Sequence, residues 1–170
     1  NHSSMFRNIS FLLVSACLML NTAAQSTKSA TDLYNEGIKL VDEEKYEAAL
    51  SAFKNAIAKD PGYGDALYRA GWCSNELEKY TDAVSYLEKA KKQKPSEAKI
   101  YFELGYAHES LDHTDEAIAN YQKTLQLYPE YYAASLGIAN IYYNNDDYQN
   151  ALEYYKKYLE DYDADNFYYY

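Results

Sequence analysis

Residues 98–131 read AKIYFELGYAHESLDHTDEAIANYQKTLQLYPEY, and this stretch is one unit of a pattern that recurs along the chain. The only three prolines, Pro61, Pro95 and Pro129, keep its spacing of 34 residues. A fixed period of this length is typical of an array of small helical units, none of which can bury its apolar face alone. The spacing therefore predicts stacked units instead of one central core.

Four further columns of residues keep the same period and set the register of the array. They are Gly37, Gly71, Gly105 and Ala139; Ala49, Ala83, Ala117 and Ala151; Tyr46, Tyr80, Thr114 and Tyr148; and Phe53, Leu87, Tyr121 and Tyr155. The small residues of the first column let a second helix approach closely. We expect the alanines to meet that contact from the other side, and the large residues to fill the wider part of the gap.

These columns resemble the tetratricopeptide repeat (TPR) family, whose units carry the same small residue, alanine, aromatic and closing proline. The resemblance covers nearly all of the chain after residue 30. It implies an all-α fold, a right-handed superhelical solenoid of about four helix-turn-helix repeats. The expected repeats are residues 30–63, 64–97, 98–131 and 132–165. Residues 166–170 then begin an incomplete repeat or form a tail.

Periodicity and capping residues predict two helices in each repeat, and no stretch alternates long enough to indicate a strand. The eight expected helices span about residues 31–43, 47–59, 65–77, 81–93, 97–111, 115–127, 131–144 and 148–161. Short polar side chains accept hydrogen bonds from the free N–H groups of a first turn. Thr31-Asp32, Asp65 and Ser96-Glu97 are the expected starts of the first helices of repeats one to three. Thr81-Asp82 and Thr114-Asp115-Glu116 are expected to open the second helices of repeats two and three, with acids placed favourably for the helix dipole.

The first 24 residues have the pattern of a secretory leader. Met5 is the expected initiator, Arg7 supplies a positive charge, residues 9–20 are almost entirely apolar, and small residues follow at 22–24. The apolar run is shorter than the roughly 18 residues of a membrane-spanning helix. We therefore expect a pre-sequence and signal peptide over residues 1–24 and a short linker over 25–29.

A second interpretation of the leader is lipidation. The sequence Val14-Ser15-Ala16-Cys17 fits the lipobox of bacterial lipoproteins, in which Cys17 would carry the lipid. A membrane partner is expected only in that case. Both interpretations favour an exported protein in the periplasm or cell envelope of a bacterium, with a lipoprotein or a secreted protein as the alternatives.

The net charge limits the classes of partner, and the cysteine content limits the disulfides that the chain can form. The chain has 16 basic and 26 acidic residues, a net charge of −10, and this disfavours nucleic acid and anionic membrane surfaces as partners. Cys73 is the only cysteine outside the leader, so no internal disulfide is expected after cleavage. We interpret it as a half-buried helix residue.

No catalytic constellation stands out. The chain has no glycine-rich phosphate loop, and His108 and His113 lack the spacing and the third ligand of a zinc site. The acidic groups around residues 146 and 163 lack the glycine and glutamate of a calcium loop. We therefore expect no catalytic residue, no cofactor and no metal, and hence no enzyme.

The resemblance assigns a different kind of site. In TPR proteins the first helices of successive repeats line a concave groove, and aromatic anchors with a few polar groups suit an extended or helical peptide. The groove residues expected here are Tyr34, Asn35, Tyr68, Arg69, Trp72, Lys99, Phe102, Tyr106 and Tyr143. The alternative is that several of these aromatic rings pack against neighbouring helices.

One groove ligand of the family is disfavoured. Its heat-shock co-chaperones hold a C-terminal dicarboxylate with a clamp of lysines and asparagines, to which Asn35 and Lys99 correspond. Tyr34, Arg69 and Glu103 depart from the clamp, and Glu103 would repel a carboxylate.

The sequence as a whole predicts an exported, non-enzymatic scaffold that binds peptide segments of partner proteins. A structural subunit of an envelope assembly, which associates through the aromatic residues 166–170, is one alternative. The repeat region of a longer enzyme or sensor is another.

Overall fold

The computed structural model describes residues 28–167, with side chains to residue 159. The predicted leader, Cys17 and residues 168–170 lie outside the described residues.

Within residues 28–167 the chain forms eight α-helices and no strand. The helices are α1 (Ala30–Asp42), α2 (Tyr46–Lys59), α3 (Gly64–Glu76), α4 (Tyr80–Gln93), α5 (Ala98–Ser110), α6 (Thr114–Leu127), α7 (Tyr132–Asn144) and α8 (Tyr148–Phe167). Every boundary lies within one residue of its predicted position except the end of α8, which continues to Phe167 instead of ending near residue 161.

The helices stack in two layers. Each odd-numbered helix packs on the even-numbered helix that follows it, and that helix packs on the first helix of the next repeat. The first helices also contact one another, α3 with α5 and α5 with α7. The prediction of an all-α solenoid is confirmed, and contacts between successive first helices make them one continuous layer.

A contact between a glycine and a large side chain holds each of the first three helix pairs together. A Cβ atom added at Gly71 would lie 2.5 Å from Leu87, and one at Gly105 would lie 2.6 Å from the Tyr121 ring. The large residue of each pair covers the glycine, and the alanines of the second helices, Ala49, Ala83 and Ala117, are buried.

The acidic residues expected at helix starts lie in the first turns of α3, α4 and α6, namely Asp65, Asp82, Asp115 and Glu116, but most of the expected side-chain caps are absent. Ser29 caps α1, since its Oγ accepts a hydrogen bond from the Asp32 N–H at 3.1 Å, and Asp147 Oδ1 accepts one from the Asn150 N–H at the start of α8. Helices α2 to α7 have no side-chain cap, so none of Asp65, Thr81, Ser96 and Thr114 caps a helix. Tertiary packing decides where these helices begin.

The turn inside each repeat has a form that the sequence interpretation missed. Four acidic residues at the 34-residue period adopt the left-handed conformation, with φ from 57° to 61°: Glu44, Glu78, Asp112 and Asp146. In the second repeat the Glu78 N–H donates to the Asn75 carbonyl at 2.9 Å and the Lys79 N–H to the Ser74 carbonyl at 2.8 Å. These two bonds form a Schellman motif, which ends the first helix and turns the chain into the second.

Gly105→Ala is expected to destabilise the fold. The added methyl group would overlap the Tyr121 ring, at a cost of about 1–3 kcal/mol. This cost exceeds the gain of about 1 kcal/mol that alanine has over glycine in a helix. Urea denaturation followed by circular dichroism measures the difference. The control is Gly62→Ala in an exposed loop, where the nearest atom is 3.5 Å from the new Cβ; equal effects at both sites would contradict the contact.

Glu78→Gly is expected to stabilise the fold by about 0.5–1 kcal/mol. Glycine adopts the left-handed conformation without the steric cost that other residues incur, and part of this gain is lost to its greater freedom in the unfolded chain. The same denaturation measurement tests the change. Ser85→Gly, in the exposed interior of α4, should destabilise instead. Destabilisation by both variants would show that the turn does not strain Glu78.

Candidate functional site

Four of the predicted groove residues form one group, the Tyr68 cluster, which consists of Tyr68, Arg69, Trp72 and Lys99. The Arg69 guanidinium carbon lies 5.8 Å from the centre of the Tyr68 ring and 6.0 Å from that of Trp72. The Lys99 Nζ approaches the Tyr68 ring from α5 at 4.9 Å. Both cations lie within the range of attraction to a ring face, so the cluster joins α3 to α5.

Two predicted anchors expose much of their rings. Tyr106 is 42% exposed and Tyr143 is 55% exposed, both large values for aromatic side chains within a packed helical array. Each ring makes an edge contact with a tyrosine of an adjacent helix, Tyr106 with Tyr80 of the preceding α4 and Tyr143 with Tyr148 of the following α8. These contacts orient the rings while leaving their surfaces available to a ligand.

Tyr34 and Phe102 lie deeper and take part in packing between helices. The Tyr34 ring is 5.1 Å from that of Tyr63, and the Phe102 ring is 4.8 Å from that of Tyr131. Both side chains are half-buried. They form part of the groove floor, in agreement with the packing alternative for these two positions.

Asn35 is placed differently from the other predicted residues. It is exposed on α1 and lines an open cleft with Lys28, Asp32, Glu36, Lys39 and Leu40. Asn35 therefore lies on α1, two repeats before Glu103 on α5.

The structure adds a polar pair that the predicted set omits. The Asn75 Nδ2 on α3 donates to Glu103 on α5 twice, to the carboxylate Oε2 at 2.8 Å and to the backbone carbonyl at 3.1 Å. Asn75 is 2% exposed, and its Oδ1 has no hydrogen-bond partner. Because the two residues are 28 positions apart, only the stacking of first helices brings them together.

Glu103 is a carboxyl group in an unfavourable place for a charge. It is half-buried by area but surrounded by protein on most sides, and this burial raises the pKa of its carboxyl to about 7. The hydrogen bond from Asn75 acts in the opposite direction, and the negative charge of Glu76 adds to the increase. Desolvation outweighs the single hydrogen bond because a carboxylate loses strong hydration when it is buried.

The other side chains that could take part in chemistry are Cys73 and the pair His108 and His113. Cys73, expected to be half-buried, is fully buried beside Phe53 and Ala70, and burial raises the pKa of its thiol to about 12. The Nδ1 atoms of His108 and His113 lie 3.3 Å apart. Burial and the neighbouring His113 lower the pKa of His108.

Neither a metal cluster nor a spanning helix is found in the part of the chain that the structure describes. No group of three or more His, Cys, Asp or Glu side chains between residues 28 and 167 is arranged to hold a metal ion. Over the same residues, every helix is too short or too polar to cross a membrane.

Comparison with known sequences connects this architecture to a family. The sequence profile described as "Tetratricopeptide repeat" matches residues 34–98 and 102–166, which together make up most of the chain. No curated protein matches the sequence.

Solved structures of MamA resemble the fold. MamA from Desulfovibrio magneticus RS-1, from residue 41 to its end, is 25% identical with a TM-score of 0.78, over 82% of this chain and 78% of its own. An ArsTM double mutant of RS-1 MamA is 26% identical with a TM-score of 0.78, over 95% of each chain. Another crystal structure of MamA, 24% identical with the same TM-score, covers 81% of this chain and 80% of its own and shows the fold alone.

The pKa of Glu103 predicts that this residue makes stability fall as the pH rises. The folded chain holds the proton up to about pH 7, whereas the unfolded chain releases it near the usual value of 4.5. The stabilisation is therefore complete below pH 4.5 and is lost as the pH rises through 7, by about 3 kcal/mol in all. Glu103→Gln, which keeps the shape without the charge, should match the wild type at about pH 4.5 and be more stable at about pH 8.

Urea denaturation at both pH values measures this difference, with Glu130→Gln as the control. Glu130 is exposed in the loop between α6 and α7, so its substitution should change stability equally little at the two pH values. A difference between wild type and Glu103→Gln that is the same at both pH values would contradict the assignment of a buried carboxyl.

Proposed function

The chain belongs to the tetratricopeptide repeat family, whose fold serves as a protein-interaction scaffold, and from this premise we propose that it is a non-enzymatic adaptor that binds peptide segments of partner proteins in its groove. The observation that carries the proposal is the combination of the Tyr68 cluster with the exposed rings of Tyr106 and Tyr143. Large rings held in place by neighbouring side chains bury much area on binding and lose little entropy.

The groove floor supports the same function. Tyr34 also contacts Phe53 of α2, and Phe102 contacts Tyr121 of α6, so both rings are packed against the layer of second helices. Polar groups between the rings, Arg69 and Lys99 among them, can fix the register of a bound segment through hydrogen bonds to its backbone.

The proposal includes export to the periplasm or cell envelope. Its support is the sequence of residues 1–24, with one basic residue, an apolar run and small residues at the expected cleavage point. Lipidation at Cys17 or secretion would keep the scaffold outside the cytoplasm as well.

A structural subunit of an envelope assembly is the second candidate, favoured by the face of α8. Leu152 and Leu159 are 55% and 53% exposed. The residues one period earlier, Ile118 and Leu125, pack against α7. In the third repeat, the next helix covers the positions that correspond to Leu152 and Leu159. In the fourth repeat these two leucines are exposed and offer an apolar surface for association.

Trp72→Ala and Tyr106→Ala are each expected to weaken peptide binding by about 1–3 kcal/mol. Each change removes a ring from the groove but no side chain from the contacts between glycines and large residues, so the helix content should remain. The probe is a peptide selected from a random displayed library on the full chain. Calorimetric titration measures its affinity, and far-ultraviolet circular dichroism measures helix content.

Leu152→Ala is the matched control, because it removes apolar area from α8 outside the groove. It should leave peptide affinity unchanged. If the groove variants bind as well as the wild type, while Leu152→Ala or removal of residues 166–170 abolishes association, the second candidate is correct and groove binding is wrong.

A further inference from the structure

Glu103 lies on the groove-lining layer without a cationic partner. In the described part of the chain, no lysine, arginine or histidine nitrogen forms an ion pair with its carboxylate. Its Oε2 accepts from Asn75, and its Oε1 makes no hydrogen bond to any described residue. The charge that forms above about pH 7 is therefore held by one neutral donor.

Asn75 adds a second acceptor that has no donor. Its Nδ2 is fully used by the two bonds to Glu103, while its buried Oδ1 has no partner. An unpaired buried acceptor destabilises the fold, because it loses its hydration without gaining a hydrogen bond. The Asn75 Oδ1 is closed to solvent, so the half-buried Glu103 carboxylate is the part of this pair that is open to a ligand.

The neighbouring groups leave this pair negative. The titratable groups that interact with Glu103 are Glu76 and Tyr68 on α3, Tyr106 on α5, Tyr121 on α6 and Tyr131 at the start of α7. None of these is a cation. The cations of the Tyr68 cluster lie over an aromatic ring instead, and Lys99 also pairs with Glu97 at 3.6 Å.

Aromatic rings flank the pair at helical spacing. Trp72 precedes Asn75 by three residues on α3, and Tyr106 follows Glu103 by three residues on α5, so each ring lies on the same helix face as its polar neighbour. An aliphatic stem can pack on such rings while its charged end reaches the acceptors.

We propose that Asn75 and Glu103 form the subsite that receives a lysine or arginine side chain of the bound peptide. The proposal rests on the proposed function, because it requires a peptide in the groove. An ammonium or guanidinium group has several N–H donors and no acceptor, so it can donate to Glu103 Oε1 and neutralise the carboxylate while Asn75 holds Oε2. A carboxylate of the peptide has no N–H group to donate and would be repelled by the ionised Glu103.

A pH dependence of binding follows. The cation binds the ionised form of Glu103, and the free protein has to lose a proton that it holds up to about pH 7. Affinity for a basic peptide should therefore rise between about pH 6 and pH 8 and then level off. The same peptide should show no such rise with Glu103→Gln.

The experiment uses the full chain and the fluorescence of Trp72, its only tryptophan. Peptides are selected from a random displayed library on the wild type, and those that also bind Trp72→Ala/Tyr106→Ala are discarded. The selected peptides should share a lysine or arginine. Its replacement by norleucine should lower the affinity at about pH 8 at least about tenfold for the wild type, and have little effect for Glu103→Gln.

Glu76→Gln is the matched control, since it removes one negative charge from an exposed residue next to Asn75. Glu76→Gln should keep most of the preference for the basic side chain. Loss of the preference in both Glu76→Gln and Glu103→Gln would indicate a diffuse acidic surface and overturn the subsite. Groove-dependent peptides without an essential basic residue would also overturn it and leave the proposed function intact. Failure to obtain any groove-dependent peptide would overturn both.

Discussion

Close approach of the two helices in a repeat, permitted by a glycine and completed by a large side chain, is the constraint on which the rest of the structure depends. Gly105 and Gly137 both lie against the ring of Tyr121, one on each of the two first helices that this residue separates. The Tyr121 hydroxyl donates to the Glu109 carboxylate at 2.7 Å, so its polar end is satisfied as well. One buried ring thereby sets the spacing of α5, α6 and α7, and this spacing determines what the groove contains.

Elements whose cause is local and periodic could be predicted from the sequence. The 34-residue columns placed seven helices within one residue at both ends because each column is a contact repeated in every unit. The caps failed because packing, and not side-chain capping, decides the starts of α2 to α7. The Schellman turns at residues such as Glu78 and Asp112 were missed because the usual signal is glycine, and this chain has acidic residues in the left-handed position.

The site was predictable only as a set of positions. The register identified the helix face on which Tyr68, Trp72 and Tyr106 lie, but it could not show that Phe102 packs on Tyr131. The bond between Asn75 and Glu103 depends on the distance and rotation between α3 and α5, which arise from the stacking of whole repeats. A pattern within one repeat contains no information on that geometry, so the polar pair becomes visible only in three dimensions.

A half-buried carboxyl with one neutral donor does not serve the stability of this fold. Burial raises the pKa of Glu103, which means that its ionised form weakens the folded state, and Asn75 leaves a buried oxygen unpaired beside it. Elsewhere in the described core Tyr121 and Thr124 form hydrogen bonds through their hydroxyls, and Ser135 Oγ is the other buried side-chain atom without a partner. Residues that oppose stability tend to be found where function requires them, and the positively charged partner proposed here would neutralise the Glu103 carboxylate.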